Sequence, residues 1–526
     1  MLDSAVAAGH HTVDGGIGSW ITRRAFFAGD RIALVDGDRR ITYSELDRRT
    51  DQLAHAFSDL GVRQGDRVAV LMTNSAAFLE TLFAATKLGA VFVPINFRLA
   101  PPEVAHLLAD SGADVLVWSD HLSPLARAAL VGDGVRVRTR VVVGGQPADG
   151  ELPFEELLAT GEPGPTRTKV AGHDLFCLMY TSGTTGRPKG AMLTHDNFLW
   201  NVINILSNGR GMRQTDRTVT VAPMFHIGGL GAHTLPLLYV GGTNVVMPSF
   251  DAEKTLAAMV RERVTLQFLV PAMWSALMAL PDFDSYDLSA LELAMTGAAP
   301  CPRPVLDYFL DKGVLFREGF GMTETGGVTL LEPDHVKTHA GTIGRPLFHV
   351  QTRVVDEQDH DVPLGEVGEL VIRGPNVFAG YWGKPEATAE AFRGGWFHSG
   401  DLAHEDGEGF LTLVGRSKDM IISGGENIYP VEVEQALVRH PAVGEVAVVG
   451  VPHAKWGETP LAVVVRADDD GTAITADDLI AYARENLAHF KCPTRVEFLT
   501  ELPRNAGGKV LKTTLRSRYG ASEQHA

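Results

Sequence analysis

The stretch Tyr180-Thr-Ser-Gly-Thr-Thr-Gly-Arg-Pro-Lys-Gly190 constrains this chain more than any other. The apolar run Asp174-Leu-Phe-Cys-Leu-Met179 precedes it and reads as a buried strand, and Thr194 to Leu206 follows and reads as a helix with a polar start. The expected order is strand, loop, helix, which suits a phosphate. Gly183 and Gly186 let backbone N–H groups approach a polyphosphate, the hydroxyls of Thr181, Ser182, Thr184 and Thr185 add donors, and Lys189 adds a mobile positive charge. The common nucleotidase P-loop ends in Gly-Lys-Ser/Thr, whereas here Pro188 precedes Lys189 and Gly190 follows it. A hydroxyl that helps to hold magnesium must therefore come from the early part, Thr181 or Ser182. A Ser/Thr/Gly-rich run on its own is more often a surface connection; the lysine and the flanking elements turn the reading toward phosphate.

A chain of 526 residues is long enough for two or more domains. Its 45% hydrophobic and 21% charged residues are those of a globular enzyme rather than a disordered or fibrous chain. A net charge of −17 argues against general nucleic-acid binding, so any phosphate-binding charge must be local. Cys177, Cys301 and Cys492 lie far apart without CxxC spacing, which predicts neither a disulfide framework nor a zinc site. No apolar run reaches the roughly 18 residues that cross a bilayer, and the N-terminus lacks a secretory pattern, so a cytoplasmic location is expected.

Residues 1–19 read as a loose leader. A helix capped near Thr42 follows, then a strand over Asp66–Met72, a helix over Ser75–Leu88 and a strand over Ala90–Pro94, a βαβ unit with parallel pairing. Further on, Thr218-Val-Thr-Val-Ala-Pro-Met-Phe-His226 ends a strand in a turn with an aromatic ring and an imidazole. Its sequel, Ile227-Gly-Gly-Leu-Gly-Ala-His233, is made of small side chains where a helix would begin; glycine there weakens a helix by about 1 kcal/mol per residue, so something should need the volume.

In open α/β sheets ligands gather at the carboxyl ends of strands. Two units fit: Leu291 to Pro300, ending in the small-residue turn Gly297-Ala298-Ala299, and Val314 to Glu324, ending in Glu318-Gly-Phe-Gly-Met-Thr-Glu324. Alternating runs between His349 and Arg373 predict an antiparallel β subdomain, and Asp401 follows in a glycine-flanked turn, where a carboxylate can accept two hydrogen bonds from a vicinal diol. Beyond Gly415-Arg-Ser-Lys418 the helix and strand patterns predict a compact α+β module ending in Asn505-Ala-Gly-Gly-Lys509.

These segments, in this order, resemble the AMP-forming adenylating enzymes, the superfamily of acyl-CoA synthetases, luciferases and peptide-synthetase adenylation domains. The resemblance implies an α/β fold with a large N-terminal domain of layered, mostly parallel sheets and helices plus a β subdomain, and a small mobile α+β C-terminal domain. The expected boundaries are 20–415 for the large domain, 416–418 for the hinge and 419–526 for the small domain. It implies ATP, Mg2+ and coenzyme A as co-substrates, with a carboxylate converted to an acyl-AMP and then to a thioester.

The resemblance also implies residue roles. Tyr180 to Gly190 becomes the phosphate loop, Gly297, Ala298 and Ala299 the adenine-side turn, and Glu318, Gly319, Phe320, Gly321, Met322 and Thr323 the rest of the nucleotide wall. Phe320 stands where the family usually has a stacking tyrosine, so the ring is kept and the phenol is absent. Glu324, with Thr181, would hold magnesium. Asp401 would bind the ribose, Arg416 the ribose or phosphate, and Lys418 would be the hinge. Lys509 would enter the active site for adenylation, and Ser423, Gly424, Gly425 and Glu426 would face the pantetheine of coenzyme A. His226 would sit beside the reacting carboxylate, and Phe225, Gly228, Gly229, Trp274, Gly297, Met322 and Gly326 would line the acyl pocket. Lys509, Lys189, His226 and Glu324 form the expected catalytic set.

Amino-acid-activating relatives carry an aspartate where His226 stands, so an amino acid is disfavoured. The leading expectation is a medium- or long-chain fatty acid, with an aryl acid as the alternative because the same apolar walls suit a ring. A separate acyl carrier protein could replace coenzyme A, a homodimer is open, and a non-catalytic nucleotide-binding protein is the remaining reading.

Overall fold

The computed structural model describes residues 16–166, 168–181, 188–299, 301, 303–423, 426–453, 456–467, 474–504 and 510–520. The chain divides into two compact units, Met1–Gln351 with Arg373–Gly395, and Thr352–Ile372 with Trp396–Ala526.

In the first unit a seven-stranded sheet runs in the order Leu152–Pro153, Thr139–Val143, Val115–Ser119, Arg67–Leu71, Val91–Pro94, Leu175–Thr181, Lys189–Thr194. Its strands pair in parallel except the last two, which are antiparallel. The crossover helices start where the sequence supplies caps. Thr42 accepts from the Glu45 N–H before helix Tyr43–Asp59, and Ser75 accepts from the Phe78 N–H before Ala76–Lys87. Leu71, Val93, Leu116 and Trp118 are fully buried on one face against Leu107 and Leu108 of helix Pro101–Ser111, and Val68 and Val70 are buried on the other, the two-sided burial that parallel strands need.

A second sheet, in the order Leu266–Phe268, Leu293–Gly297, Leu315–Met322, Gly326–Leu331, Arg345–Pro346, begins parallel and ends antiparallel. A third joins Arg217–Thr220, Thr243–Val246, Ile32–Asp36 and Arg39–Thr42. Layered, mostly parallel sheets with helices are therefore the architecture of this unit. Among the described residues no helix is long and apolar enough to cross a membrane.

The second unit contains the antiparallel sheet built from Gln351–Val355, Gly368–Arg373, Phe397–Glu405 and Leu411–Arg416, and the α+β sheet in which Glu426–Ile428, Ile421–Ser423, Gly457–Arg466 and Val443–His453 follow in order with Arg495–Phe498 alongside. Helix Pro430–Leu437 contacts strand Leu411–Arg416, so the β subdomain coheres with the C-terminal module. The compact division thus falls near 351 and 395, while the 416–418 segment lies inside the second unit as a short turn, Ser417–Asp419.

Candidate active site

We label the site-bearing strands β1 (Leu175–Thr181), β2 (Lys189–Thr194), β3 (Leu293–Gly297), β4 (Leu315–Met322), β5 (Gly326–Leu331), β6 (Phe397–Glu405) and β7 (Leu411–Arg416). The phosphate-loop segment joins β1 to β2 as the connection of an antiparallel hairpin, with Thr181 opposite Lys189. This corrects the expected strand–loop–helix order. The helix His195–Leu206 starts only after β2, so its N-terminus does not cap the loop; its own orphan N–H groups are met by a Thr194–Asn197 capping box. Lys189 stands at the root of β2, and Ser182, Gly183, Thr184, Thr185 and Gly186 lie outside the described residues.

The hairpin stem is clamped from two sides. Tyr180 donates its phenol proton to Asp110 Oδ2 at 2.8 Å, and Trp382 Nε1 donates to the Asp110 carbonyl at 3.1 Å. Trp382 N donates to Gly190 O at 2.8 Å and Met192 N to Gly380 O at 2.9 Å, which lays segment 379–382 along β2. A Cβ at Gly190 would lie 3.2 Å from the Tyr180 ring, so the close approach of these layers needs glycine there.

β4 and β5 form a tight hairpin whose turn carries Thr323 and Glu324. Glu324 is buried, its carbonyl accepts from Phe378 N at 2.7 Å, and its Oε1 accepts from the Tyr381 phenol at 3.0 Å. Lys189 Nζ sits 5.0 Å above the centre of the same Tyr381 ring. Thr181, Lys189 and Glu324 are thereby brought together through Tyr381, a residue the sequence reading did not single out. Among the described residues no three His, Cys, Asp or Glu side chains gather as a metal cage. A buried carboxylate suits a magnesium ion that keeps substrate phosphate and water among its ligands, so Glu324 fits the implied ion.

β3 and β4 run parallel with Thr296 opposite Glu318 and Gly297 opposite Gly319. Past β3, Ala298 adopts φ +72°, a left-handed conformation that strains a residue with a Cβ by about 1–2 kcal/mol. Such strain persists where surrounding structure over-determines it, commonly at ligand sites. Glu318 is buried and accepts one backbone proton, from Cys301 N at 3.1 Å; burial pushes its carboxyl up to about 7. Phe320 lies within β4 opposite Thr329, and Met322 and Gly321 close the hairpin against Gly326 and Gly327.

His226 caps a short helix, Ile227–Gly229, that continues as a π turn, Leu230–Thr234. Asn74 fixes the approach to it: its Nδ2 donates to Ala222 O at 3.0 Å and its Oδ1 accepts from Met224 N at 2.9 Å. Phe225 packs edge-on to Phe97 with ring centres 5.4 Å apart. His226 Nε2 is buried without a hydrogen-bond partner among the described residues. Burial and, second, the charge of Arg98 lower its pKa to about 4, so the ring is neutral at pH 7.

Ala222, Ala232 and Phe268 form a buried apolar cluster with Met295 beside it. A Cβ at Gly228 would touch Phe268 at 3.4 Å, and one at Gly319 would meet Met295 Cε at 2.9 Å. Two expected lining residues are corrected. A Cβ at Gly229 would lie 2.1 Å from the Pro223 carbonyl, so that glycine serves backbone packing. Trp274 is fully buried against Phe309 and Phe316 and donates to Met295 O, which makes it core.

In the second unit Asp401 is not in a turn. It lies within β6, opposite Arg416 of β7, and Arg416 Nε donates to Asp401 Oδ1 at 2.6 Å. Gly400, at φ +69°, supplies the left-handed residue that kinks the strand, and its N–H donates to Glu369 at 2.9 Å. Lys418 is exposed in the Ser417–Asp419 turn, which Arg516 tethers through Asp419 at 2.7 Å. Ser423 and Glu426 close an antiparallel pair; Gly424, Gly425 and Lys509 lie outside the described residues.

Three imidazoles carry a stability consequence. Burial lowers His195 and His226 to about 4 and His233 to about 3, so at pH 4–6.5 the unfolded chain binds three protons that the folded chain refuses. Glu318, raised to about 7, works in reverse, binding a proton in the fold over roughly the same range. Across these four groups the net is two protons. Stability is therefore expected to fall by about 2–3 kcal/mol per pH unit between pH 6 and 5. Urea unfolding across that range measures it, and His233→Gln is expected to flatten the slope by about one proton's worth, 1.4 kcal/mol per unit.

The chain matches the AMP-binding enzyme model over residues 21–382 and the AMP-binding enzyme C-terminal domain over residues 432–509. The chain belongs to the AMP-binding enzyme family. It is 47% identical over 506 residues to a protein from Amycolatopsis sp. named feruloyl-CoA synthase, covering 96% of this chain and 99% of that one. It is 37% identical to a long-chain-fatty-acid–CoA ligase from Mycobacterium tuberculosis, covering 96% and 98%. The fold superposes on an anthranilate CoA ligase in complex with anthranoyl-AMP with a TM-score of 0.89 at 30% identity, covering 97% and 98% of the two chains. As an AMP-binding enzyme of this group the chain is an AMP-forming acid–thiol ligase that works with ATP, Mg2+ and coenzyme A.

Proposed function

We propose that this ligase activates an aromatic carboxylic acid and transfers it to coenzyme A, rather than the fatty acid that the sequence first suggested. The observation that carries the reading is the wall beside His226. Gly228 lies against the edge of the Phe268 ring, and Ala222, Ala232 and Met295 pack with that ring as small or apolar neighbours. A planar acid gains ring contact there without ordering a flexible tail. The greater identity to a relative named for an aromatic acid than to one named for a fatty acid supports the same choice.

A carboxylate is a poor electrophile at neutral pH, so the first step attacks the α-phosphorus of ATP and expels pyrophosphate. In this reading neutral His226 donates toward the acid carboxylate without adding a charge. Lys189 and the loop from Thr181 hold the β- and γ-phosphates, and Glu324 with Thr181 takes the magnesium that neutralises them. Gly297, Ala298, Ala299 and the Glu318–Thr323 strand form the adenine side, Asp401 with Arg416 binds the ribose, and Lys509 bridges carboxylate and α-phosphate. For the second step the segment at Lys418 turns, withdrawing Lys509 and presenting Ser423, Gly424, Gly425 and Glu426 to the pantetheine.

Pyrophosphate release is to be measured with 4-hydroxycinnamate, benzoate and dodecanoate, each with and without coenzyme A. The expected result is kcat/KM at least about tenfold higher for an aromatic acid than for dodecanoate, with thioester formed only when the thiol is present. Preference for dodecanoate would return the assignment to a fatty acid.

A further inference from the structure

We propose that Tyr381 is a positioning residue that sets Glu324 and Lys189 for one magnesium–nucleotide complex. The inference rests on the reading of Glu324 as magnesium ligand and Lys189 as phosphate ligand. Its own support is a set of contacts that converge on one side chain. The Tyr381 phenol donates to Glu324 Oε1 at 3.0 Å, and the Lys189 ammonium lies 5.0 Å from the centre of the same ring. The main chain around it is equally committed. Tyr381 bridges Ala191, Trp382 N donates to Gly190 O, and Phe378 N donates to Glu324 O. The segment is therefore tied on one side to the strand that carries Lys189 and on the other to the turn that carries Glu324. The ring is braced by Phe378, 4.9 Å away and edge-on, and the Tyr381 N–H donates to Thr388 Oγ1 at 2.9 Å.

The chemistry that follows is specific. A free glutamate side chain has two oxygens and several rotamers; the phenol proton on Oε1 fixes the rotamer, so that Oε2 would be the oxygen left to hold a dication. Partners of this kind typically change metal affinity 10- to 100-fold, although they never touch the ion. The ring face attracts the Lys189 ammonium, and the attraction restricts a side chain that otherwise samples many rotamers. One tyrosine thus sets both the carboxylate that would hold the ion and the ammonium that would meet the phosphates. A tyrosine that merely filled space would lend bulk and nothing that depends on magnesium.

Binding of a non-hydrolysable ATP analogue, followed by calorimetry with Mg2+ and again in EDTA, separates these cases without catalysis. Tyr381→Phe keeps the ring and deletes the hydrogen bond. It is expected to weaken the Mg2+ complex about tenfold while leaving EDTA binding unchanged. Tyr381→Leu is expected to weaken binding in EDTA as well, several-fold, because Lys189 loses its seat. Glu324→Gln is the reference and is expected to lose the Mg2+-dependent gain. If Glu324→Gln loses it and Tyr381→Phe binds as wild type, the role given to Tyr381 is overturned. Equal weakening of Tyr381→Phe with and without Mg2+, together with a lowered Tm, also overturns it, in favour of packing. If Glu324→Gln keeps the gain, the assignment of Glu324 fails first.

Discussion

Lys189→Ala is expected to slow adenylation by about 10²–10³-fold while leaving thioester formation from supplied aryl-AMP within a few-fold of wild type. The asymmetry follows from where the charge acts. Lys189 stands at the root of the hairpin strand that emerges from the phosphate-loop segment, opposite Thr181 and over Tyr381. In the proposed mechanism its ammonium meets the β- and γ-phosphates, which leave as pyrophosphate when the acyl-AMP forms. Nothing in the second half-reaction retains those phosphates, so removing the charge has little left to act on. Pyrophosphate release and single-turnover conversion of the synthetic adenylate, measured on the same preparation, give the two rates. Equal loss in both would mean that Lys189 supports the fold of the hairpin rather than the charge of the leaving group.

The way Lys189 is presented shows which features a sequence can disclose. The hydroxyl- and glycine-rich run is contiguous, and its lysine together with the flanking elements turned the reading toward phosphate. Its geometry depends on Gly190 to Thr194 pairing back on Leu175 to Thr181, and a run of Lys-Gly-Ala-Met-Leu-Thr gives a weak strand signal because glycine and alanine offer little β preference. Helix starts were legible near Thr42, Ser75 and Thr194, and each of these side chains accepts a backbone proton of its helix. The βαβ order through Arg67–Leu71 and Val91–Pro94 was legible for the same reason, being written in short-range periodicity.

Contacts between distant segments were not legible. Asn74 reaches residues 222 and 224 from a helix start about 150 positions earlier, and Tyr381 reaches back to both Lys189 and Glu324. Neither has a flanking pattern, since an asparagine before a serine cap or a tyrosine in a turn is ordinary in isolation. Composition misled in two places. Gly229 looked like vacated pocket volume but packs on a carbonyl, and Trp274 looked like pocket lining but fills the core between Phe309 and Phe316. Both are small or aromatic residues in an apolar stretch, and such residues distinguish a pocket from a core only once strand faces are known. Asp401, flanked by glycine, suggested a turn; the positive φ of Gly400 is absorbed as a kink within a strand, which aims the carboxylate at Arg416.

Lys418→Pro is expected to produce the opposite pattern from Lys189→Ala, slowing thioester formation by about 10²-fold or more with adenylation within a few-fold of wild type. Lys418 is exposed, and its turn is held from outside by Asp419 and Arg516 rather than by burial of its own side chain. In the proposed mechanism the lysine side chain contributes little chemistry, and the freedom of its backbone carries the second step. Proline fixes φ near −65° and restricts the preceding residue, so a segment that must exchange two backbone conformations keeps one. Lys418→Ala removes the same side chain while leaving both torsions free, and it is expected to retain both half-reactions. If alanine and proline impair the second step alike, the side chain is the cause and the turn is not a hinge. If proline spares the second step, the two half-reactions share one arrangement of the C-terminal unit, and Lys509 and the Ser423–Glu426 hairpin would have to serve both from a single position.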